Sequence, residues 1–210
     1  MRKAIVQQFK RPSGALGRLA GWIMAHRESN LRRNAWAVSL LHIEPQHLVL
    51  EIGSGPGVAL EHATRLATRG TVVGVDHSEL MVSVAAKRNA EAIAEGRLEV
   101  IRGTAEAAVK GRGRFDRVYA VNVAQFWDAP AATLAALRTA MAPNGLIGIA
   151  FQPRNRGATD EDAERAAQRY EQLLGEAGFA DLWVERLALC PRAICVLGRA
   201  ADSQLESGRT

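Results

Sequence analysis

One stretch restricts the fold more than any other. Leu48-Val49-Leu50-Glu51-Ile52 runs into Gly53-Ser54-Gly55-Pro56-Gly57, and Val58-Ala59-Leu60 follows. The first five residues are an almost continuous apolar run, the pattern of a short strand buried on both faces. Glycines at 53, 55 and 57 supply what a tight strand-to-helix turn needs, because glycine tolerates positive φ and lets a ligand come close to the backbone. A helix that starts there points unpaired N–H groups at whatever lies above its first turn. Strand, glycine turn and helix in this order predict a βα unit that cradles a cofactor. A dinucleotide fingerprint, G-x-G-x-x-G, requires a third glycine at 58, where this chain has Val58. The pattern is instead G-x-G-x-G with an acid, Glu51, two residues ahead.

Glu51-Ile52-Gly53-Ser54-Gly55-Pro56-Gly57 resembles the first motif of the class I S-adenosylmethionine-dependent methyltransferases. The resemblance implies that Gly53, Ser54, Gly55 and Gly57 lie under the methionine part of that cofactor, and that Glu51 helps to fix the turn and the cofactor's amino end. Asp76 stands 19 residues after Gly57, at the end of a second buried run, Thr71-Val72-Val73-Gly74-Val75. A carboxylate there can accept both hydroxyl hydrogens of a ribose; the other role open to it is helix capping. Asp76-His77-Ser78-Glu79-Leu80-Met81 resembles the family's second motif, which implies that His77 and Met81 flank the adenine. Helix packing is the alternative for Met81.

A third strand, Leu98 to Ile101, precedes Gly103-Thr104-Ala105, which falls in the family's adenine-binding region. Many members carry an acid where this chain has Thr104; a hydroxyl can accept one hydrogen bond in its place, or the backbone can serve. Phe115 to Val121 is a fourth strand, and Asn122-Val123-Ala124-Gln125-Phe126-Trp127 leaves its carboxyl end, where open parallel sheets bind ligands. By resemblance Asn122 borders the transferring methyl group. Gln125, Phe126 and Trp127 are then candidates for the acceptor pocket, together with Trp22.

Helices are expected over 57–69, 78–95, from Pro130, and over 159–177, with a basic turn at 106–114 and a second turn at 142–145. Leu146 to Phe151 reads as a fifth strand, and 182–184 with 193–197 as a terminal antiparallel pair. The expected fold is a doubly wound α/β domain over 46–199, a seven-stranded mostly parallel sheet with an antiparallel C-terminal strand. Residues 200–210 read as a tail.

Before the core, residues 1–45 hold a mobile arm and two helical patterns. Leu16, Leu19, Ala20 and Ile23 form one stripe; Leu31, Ala35, Val38 and Leu41 form the next, capped by Ser29 or Asn30. Such helices are expected to form a lid over the cofactor. Residues 1–33 carry eight Lys and Arg against Glu28 alone, a local charge of +7 in a chain whose total is +5. The basic segment suits an anionic acceptor or an anionic membrane surface, or serves only solubility. If Arg18, Arg27, Arg32 and Arg33 face the pocket, the acceptor is expected to be anionic.

Function classes narrow by what the residues lack. Asn122-Val123-Ala124-Gln125 is not the N/D-P-P-Y/F run of amino-methylating nucleic-acid enzymes, no Pro-Cys nucleophile stands there, and no acidic cluster follows to hold a metal ion. A metal-independent methyltransferase acting on a small molecule or lipid is expected, with nucleic acid not expected as the substrate and His26 and His42 as candidate bases. The rival readings are a catalytically silent cofactor-binding module and a nicotinamide-dependent oxidoreductase. Two cysteines and no signal-peptide pattern point to a cytoplasmic protein.

Overall fold

The computed structural model describes residues 28–201. Helix α1 (Glu28–Ser39) leads to β1 (Leu48–Ile52), α2 (Val58–Leu66), β2 (Thr71–Asp76), α3 (Glu79–Arg88), α4 (Ala90–Ala94) and β3 (Leu98–Arg102). Then come α5 (Ala105–Val109), β4 (Phe115–Val121), a 3₁₀ turn (Ala124–Phe126), α6 (Pro130–Ala140), β5 (Met141–Phe151), α7 (Asp160–Glu176), β6 (Phe179–Leu187) and β7 (Ala193–Ala200). The strands form one seven-stranded sheet in the order β3-β2-β1-β4-β5-β7-β6. Only β7 runs against its neighbours, and it lies between β5 and β6.

Because side chains alternate across a strand, β1 feeds two cores. Leu50 and Ile52 pack with Leu134 and Leu137 of α6 and with Ala163, Ala167, Tyr170 and Leu174 of α7. Val49 packs on the other face with Ala37 and Val38 of α1, and with Ala59, Leu60 and Ala63 of α2. Parallel pairing aligns Ile52, Val75 and Ala120 across β1, β2 and β4, so the carboxyl ends of the central strands share one edge. The chain turns that leave that edge carry Gly53, His77, Gly103, Asn122 and Gln152.

Several boundaries differ from the sequence reading, each for a local reason. The helix expected over 78–95 breaks at Asn89, whose side-chain amide donates to the carbonyls of Ala85 (2.9 Å) and Gly57 (3.1 Å). The basic turn over 106–114 begins as helix α5, because Thr104 caps it by accepting the Ala107 N–H (3.3 Å) and alanines fill it. Strand β5 starts at Met141, opposite Phe115, and the expected turn at 142–145 is an outward loop of that strand before Leu146 pairs with Arg117. Asn144, in the left-handed region, makes the loop possible.

The buried face of α1 matches the expected apolar stripe at Val38, and at Leu41 just beyond the helix, but not at its start. Asn30, Arg33, Asn34, Ala37 and Val38 face inward, while Leu31 is exposed. The helix lies along the sheet face beside α2, and Arg33 bonds Gln152 at the carboxyl edge. Among the described residues no helix is long and apolar enough to cross a membrane. The first helical stripe, Leu16 to Ile23, and the tail from 202 lie outside the described residues.

Candidate functional site

The glycine turn is built on β2 as much as on β1. The N–H groups of Gly53 and Ser54 both donate to the Val75 carbonyl (2.7 and 3.0 Å), and the Gly57 N–H donates to the Ser54 carbonyl (2.9 Å). All three glycines have positive φ: 68°, 51° and 76°. The outer two are also sterically closed. A Cβ on Gly53 would sit 2.4 Å from Val123 Cγ2, and one on Gly57 would sit 2.6 Å from Asn89 Nδ2 and 2.9 Å from Ala85 Cβ. A Cβ on Gly55 meets nothing within 4 Å. The middle of the turn is therefore the open part, where another molecule can come within contact of the backbone. Beside it the Ser54 hydroxyl is buried and makes no hydrogen bond, an orphan of the kind that ligand sites retain.

Asp76 ties this turn to the next helix. Its Oδ2 accepts the Gly55 N–H (2.9 Å) and its Oδ1 accepts the Ser78 N–H (2.8 Å). A carboxylate has about four acceptor positions, so two remain after these bonds. The His77 Nδ1 lies 3.8 Å from Asp76 Oδ1, with its ring half exposed. Met81 is buried at 2% exposure and its N–H is capped by Ser78, so of the two residues expected at the adenine only His77 is open to solvent. The Gly103 N–H donates to the Asp76 carbonyl (3.0 Å), Ala105 is buried, and the Thr104 hydroxyl is engaged as the cap of α5.

Glu51 is the buried acid of the site, 2% exposed, opposite Tyr119 in the β1–β4 register. The Tyr119 hydroxyl donates to its Oε2 at 3.1 Å. Burial raises the carboxyl pKa to about 8; the Tyr119 hydrogen bond opposes the rise and the nearby Asp76 charge adds to it. The acid is therefore mostly protonated at neutral pH.

Asn122 holds a left-handed conformation, φ 55°, at the end of β4. Its amide clamps Gln152 reciprocally: Nδ2 donates to the Gln152 carbonyl (3.0 Å) and Oδ1 accepts the Gln152 N–H (2.8 Å). Gln125 is exposed and donates to the Asn122 carbonyl (2.9 Å). Phe126 is half-buried, and Trp127 packs against the α6–α7 core. His42 falls elsewhere. Its carbonyl accepts from Arg117, near the start of β4, so it lies at the amino end of the sheet, opposite the glycine turn, and is not placed to act as a base there. Trp22 and His26 are outside the described residues.

Sequence reasoning missed Gln152 and Arg154, and left open whether Arg33 faces inward. Arg33 Nη1 donates to Gln152 Oε1 at 2.7 Å, and its Nη2 donates to Asn30 Oδ1. The available signal was position: Gln152-Pro153-Arg154 directly follows a parallel strand at the ligand edge. Nothing in the helical periodicity of α1 marked Arg33.

Residues 49–145 match a family model described as a methyltransferase domain. An uncharacterized methyltransferase of Bacillus subtilis, YdaC, is 26% identical over 182 residues, covering 86% of this chain and 97% of that protein. A SAM-dependent methyltransferase of Aquifex aeolicus superposes with a TM-score of 0.64 at 16% identity, over 94% of this chain and 98% of that one. Human N-acetylserotonin methyltransferase, solved with SAM, gives 0.61 at 17% identity over 82% and 52%. At these identities the structural likeness is one of fold.

Proposed function

Residues 49–145 match a methyltransferase domain and a methyltransferase relative spans 86% of the chain; we propose that the protein is a class I S-adenosylmethionine-dependent methyltransferase whose acceptor is a small molecule or a lipid, methylated at oxygen or nitrogen by in-line displacement. One observation carries the reading: the turn that is open at Gly55 and holds an unpartnered Ser54 hydroxyl stands at the same sheet edge as Asp76 and Asn122. An orphan hydroxyl, a carboxylate with acceptor capacity to spare and an open glycine backbone suit a ligand with an amino-acid end and a ribose. S-adenosylmethionine supplies an electrophilic methyl group whose sulfonium charge is lost on transfer. Gly53 to Gly57 would hold its methionine part, Asp76 the ribose, and His77 and the Gly103–Ala105 turn the adenine.

The protein's own contribution is alignment and exclusion of water. Orientation of this kind supplies roughly 7–11 kcal/mol of a barrier. The clamp between Asn122 and Gln152 fixes the carboxyl ends of β4 and β5, so Gln125 and Phe126 leave that edge in a defined direction. Neutral Asn122 and Gln125 on this loop, in place of the proline-rich run of nucleic-acid enzymes, favour an acceptor that is not a nucleotide base.

Calorimetry separates this reading from an oxidoreductase: S-adenosylhomocysteine is expected to bind and NADH is not, and the reverse result would sink the cofactor assignment. Asp76→Ala is expected to weaken S-adenosylhomocysteine by about 1.5–3 kcal/mol, the range for hydrogen bonds to a charged group. An unchanged affinity would leave Asp76 with the turn alone. For the acceptor, methyl-labelled cofactor is incubated with pooled metabolite and lipid extracts. Labelled product in an organic-soluble or small-molecule fraction supports the proposal; cofactor binding with no product in either favours the silent module.

A further inference from the structure

Arg33 is a cation in an unusual place. It is 3% exposed, and it reaches from α1 to Gln152 at the ligand edge of the sheet. Its Nη groups are bonded to two neutral oxygens, Gln152 Oε1 and Asn30 Oδ1, and its Nε is buried with no hydrogen-bond partner. Arg154 Nη1 donates to the same Gln152 oxygen at 3.4 Å. Gln152 cannot turn away, because its Nε2 donates to the Pro191 carbonyl (2.8 Å) and its backbone is clamped by Asn122. Two guanidinium groups thus converge on one fixed amide oxygen. Burial, and then the Arg154 charge, push the Arg33 pKa down to about 9, and no carboxylate among the described residues offsets this. The group stays charged at neutral pH.

A buried cation beside a second cation, with a donor left over, is costly unless something brings a counter-charge. Guanidinium donors in this arrangement match an oxyanion, which accepts from both at once. The position matters as much as the charge. Gln152 is one hydrogen-bonded pair from Asn122, at the edge where the acceptor has to lie.

We propose that Arg33 and Arg154, with Asn30 and Gln152 as neutral partners, bind an oxyanion of the methyl acceptor, a carboxylate or a phosphate. This rests on the reading that the acceptor is methylated at the carboxyl edge of the sheet. The oxyanion neutralises the pair and fixes the acceptor's orientation, so the residues set specificity and take no part in bond making.

The test uses the full chain saturated with S-adenosylhomocysteine at low ionic strength, titrated with sodium acetate, inorganic phosphate and, as a neutral control, acetamide. Vesicles of phosphatidylglycerol and of phosphatidylcholine form a parallel arm. Wild type is expected to bind at least one of acetate, phosphate or phosphatidylglycerol vesicles and neither neutral probe; which one binds identifies the source of the oxyanion. Arg154→Gln, at an exposed position that folding tolerates, and Arg33→Met are each expected to weaken that binding roughly tenfold or more. The affinity for S-adenosylhomocysteine is expected to stay within about twofold. The anion is also expected to raise the melting temperature of wild type but not of Arg33→Met. No preference of wild type for anions over acetamide, or equal anion binding by both variants, would overturn the proposal. Loss of S-adenosylhomocysteine binding by wild type itself would instead overturn the cofactor reading.

Discussion

Gly55→Ala is expected to fold and to bind S-adenosylhomocysteine poorly, whereas Gly57→Ala is expected to lose about 2–5 kcal/mol of stability. Both residues have positive φ, and a non-glycine residue there costs about 1–2 kcal/mol. Beyond that they differ. A methyl on Gly55 enters open space, so it blocks only what would approach the turn. A methyl on Gly57 meets Asn89 Nδ2 at 2.6 Å and the Ala85 backbone at 3.0 Å, and it must push α2 from α3. Overpacking of that kind adds about 1–3 kcal/mol, and the hydrogen bond from Asn89 to the Gly57 carbonyl is strained with it. Urea unfolding and calorimetry on the two variants read the contrast. Equal stability losses, or normal binding by Gly55→Ala, would show that the turn does not present Gly55 to a ligand.

The second large effect is in pH dependence. Glu51 has a folded pKa raised from 4.5 to about 8, chiefly by burial. A carboxyl that binds its proton more tightly when folded contributes stability that is fully present below its unfolded pKa. That contribution is lost as pH rises through the folded one. Wild type is therefore expected to lose stability between about pH 5 and pH 8 from this group, by roughly 3–4 kcal/mol. Glu51→Gln removes the titration and keeps an oxygen that can accept the Tyr119 hydroxyl. Its unfolding free energy is expected to gain on wild type by that amount across the same range. Parallel pH profiles for the two proteins would show that Glu51 ionises normally.

Much of this site was legible in the chain because it is local. The run Leu48–Ile52, three alternating glycines and Asp76 one βα unit later depend on backbone conformation and short connections, which residue type controls directly. Asp76 is instructive: its two possible roles, helix-side anchor and ribose acceptor, were both readable, and the fold adds that it holds the Gly55 N–H as well. The insertion of β7 between β5 and β6 was not readable, since a terminal pair of strands says nothing of which one meets the sheet.

What the sequence by itself determined is the βα framework and the chemistry of its first turn: buried strands, positive-φ glycines, and acids at fixed spacing. The tertiary structure alone decided which way α1 faces. Periodicity assigns the inward side of a helix to its apolar residues, and Ala37 and Val38 obey it, but nearer the start of α1 the polar edge of the sheet offers Gln152 as an acceptor. There Arg33 turns inward and Leu31 outward. The same distance in space removed His42 from the site: α1 carries the chain from Arg33, at the carboxyl edge beside Gln152, to His42, at the amino end beside Arg117. A contact between residues 119 positions apart, such as Arg33 with Gln152, has no signature in either segment. It exists only because tertiary packing brings the residue that follows β5 beside that helix.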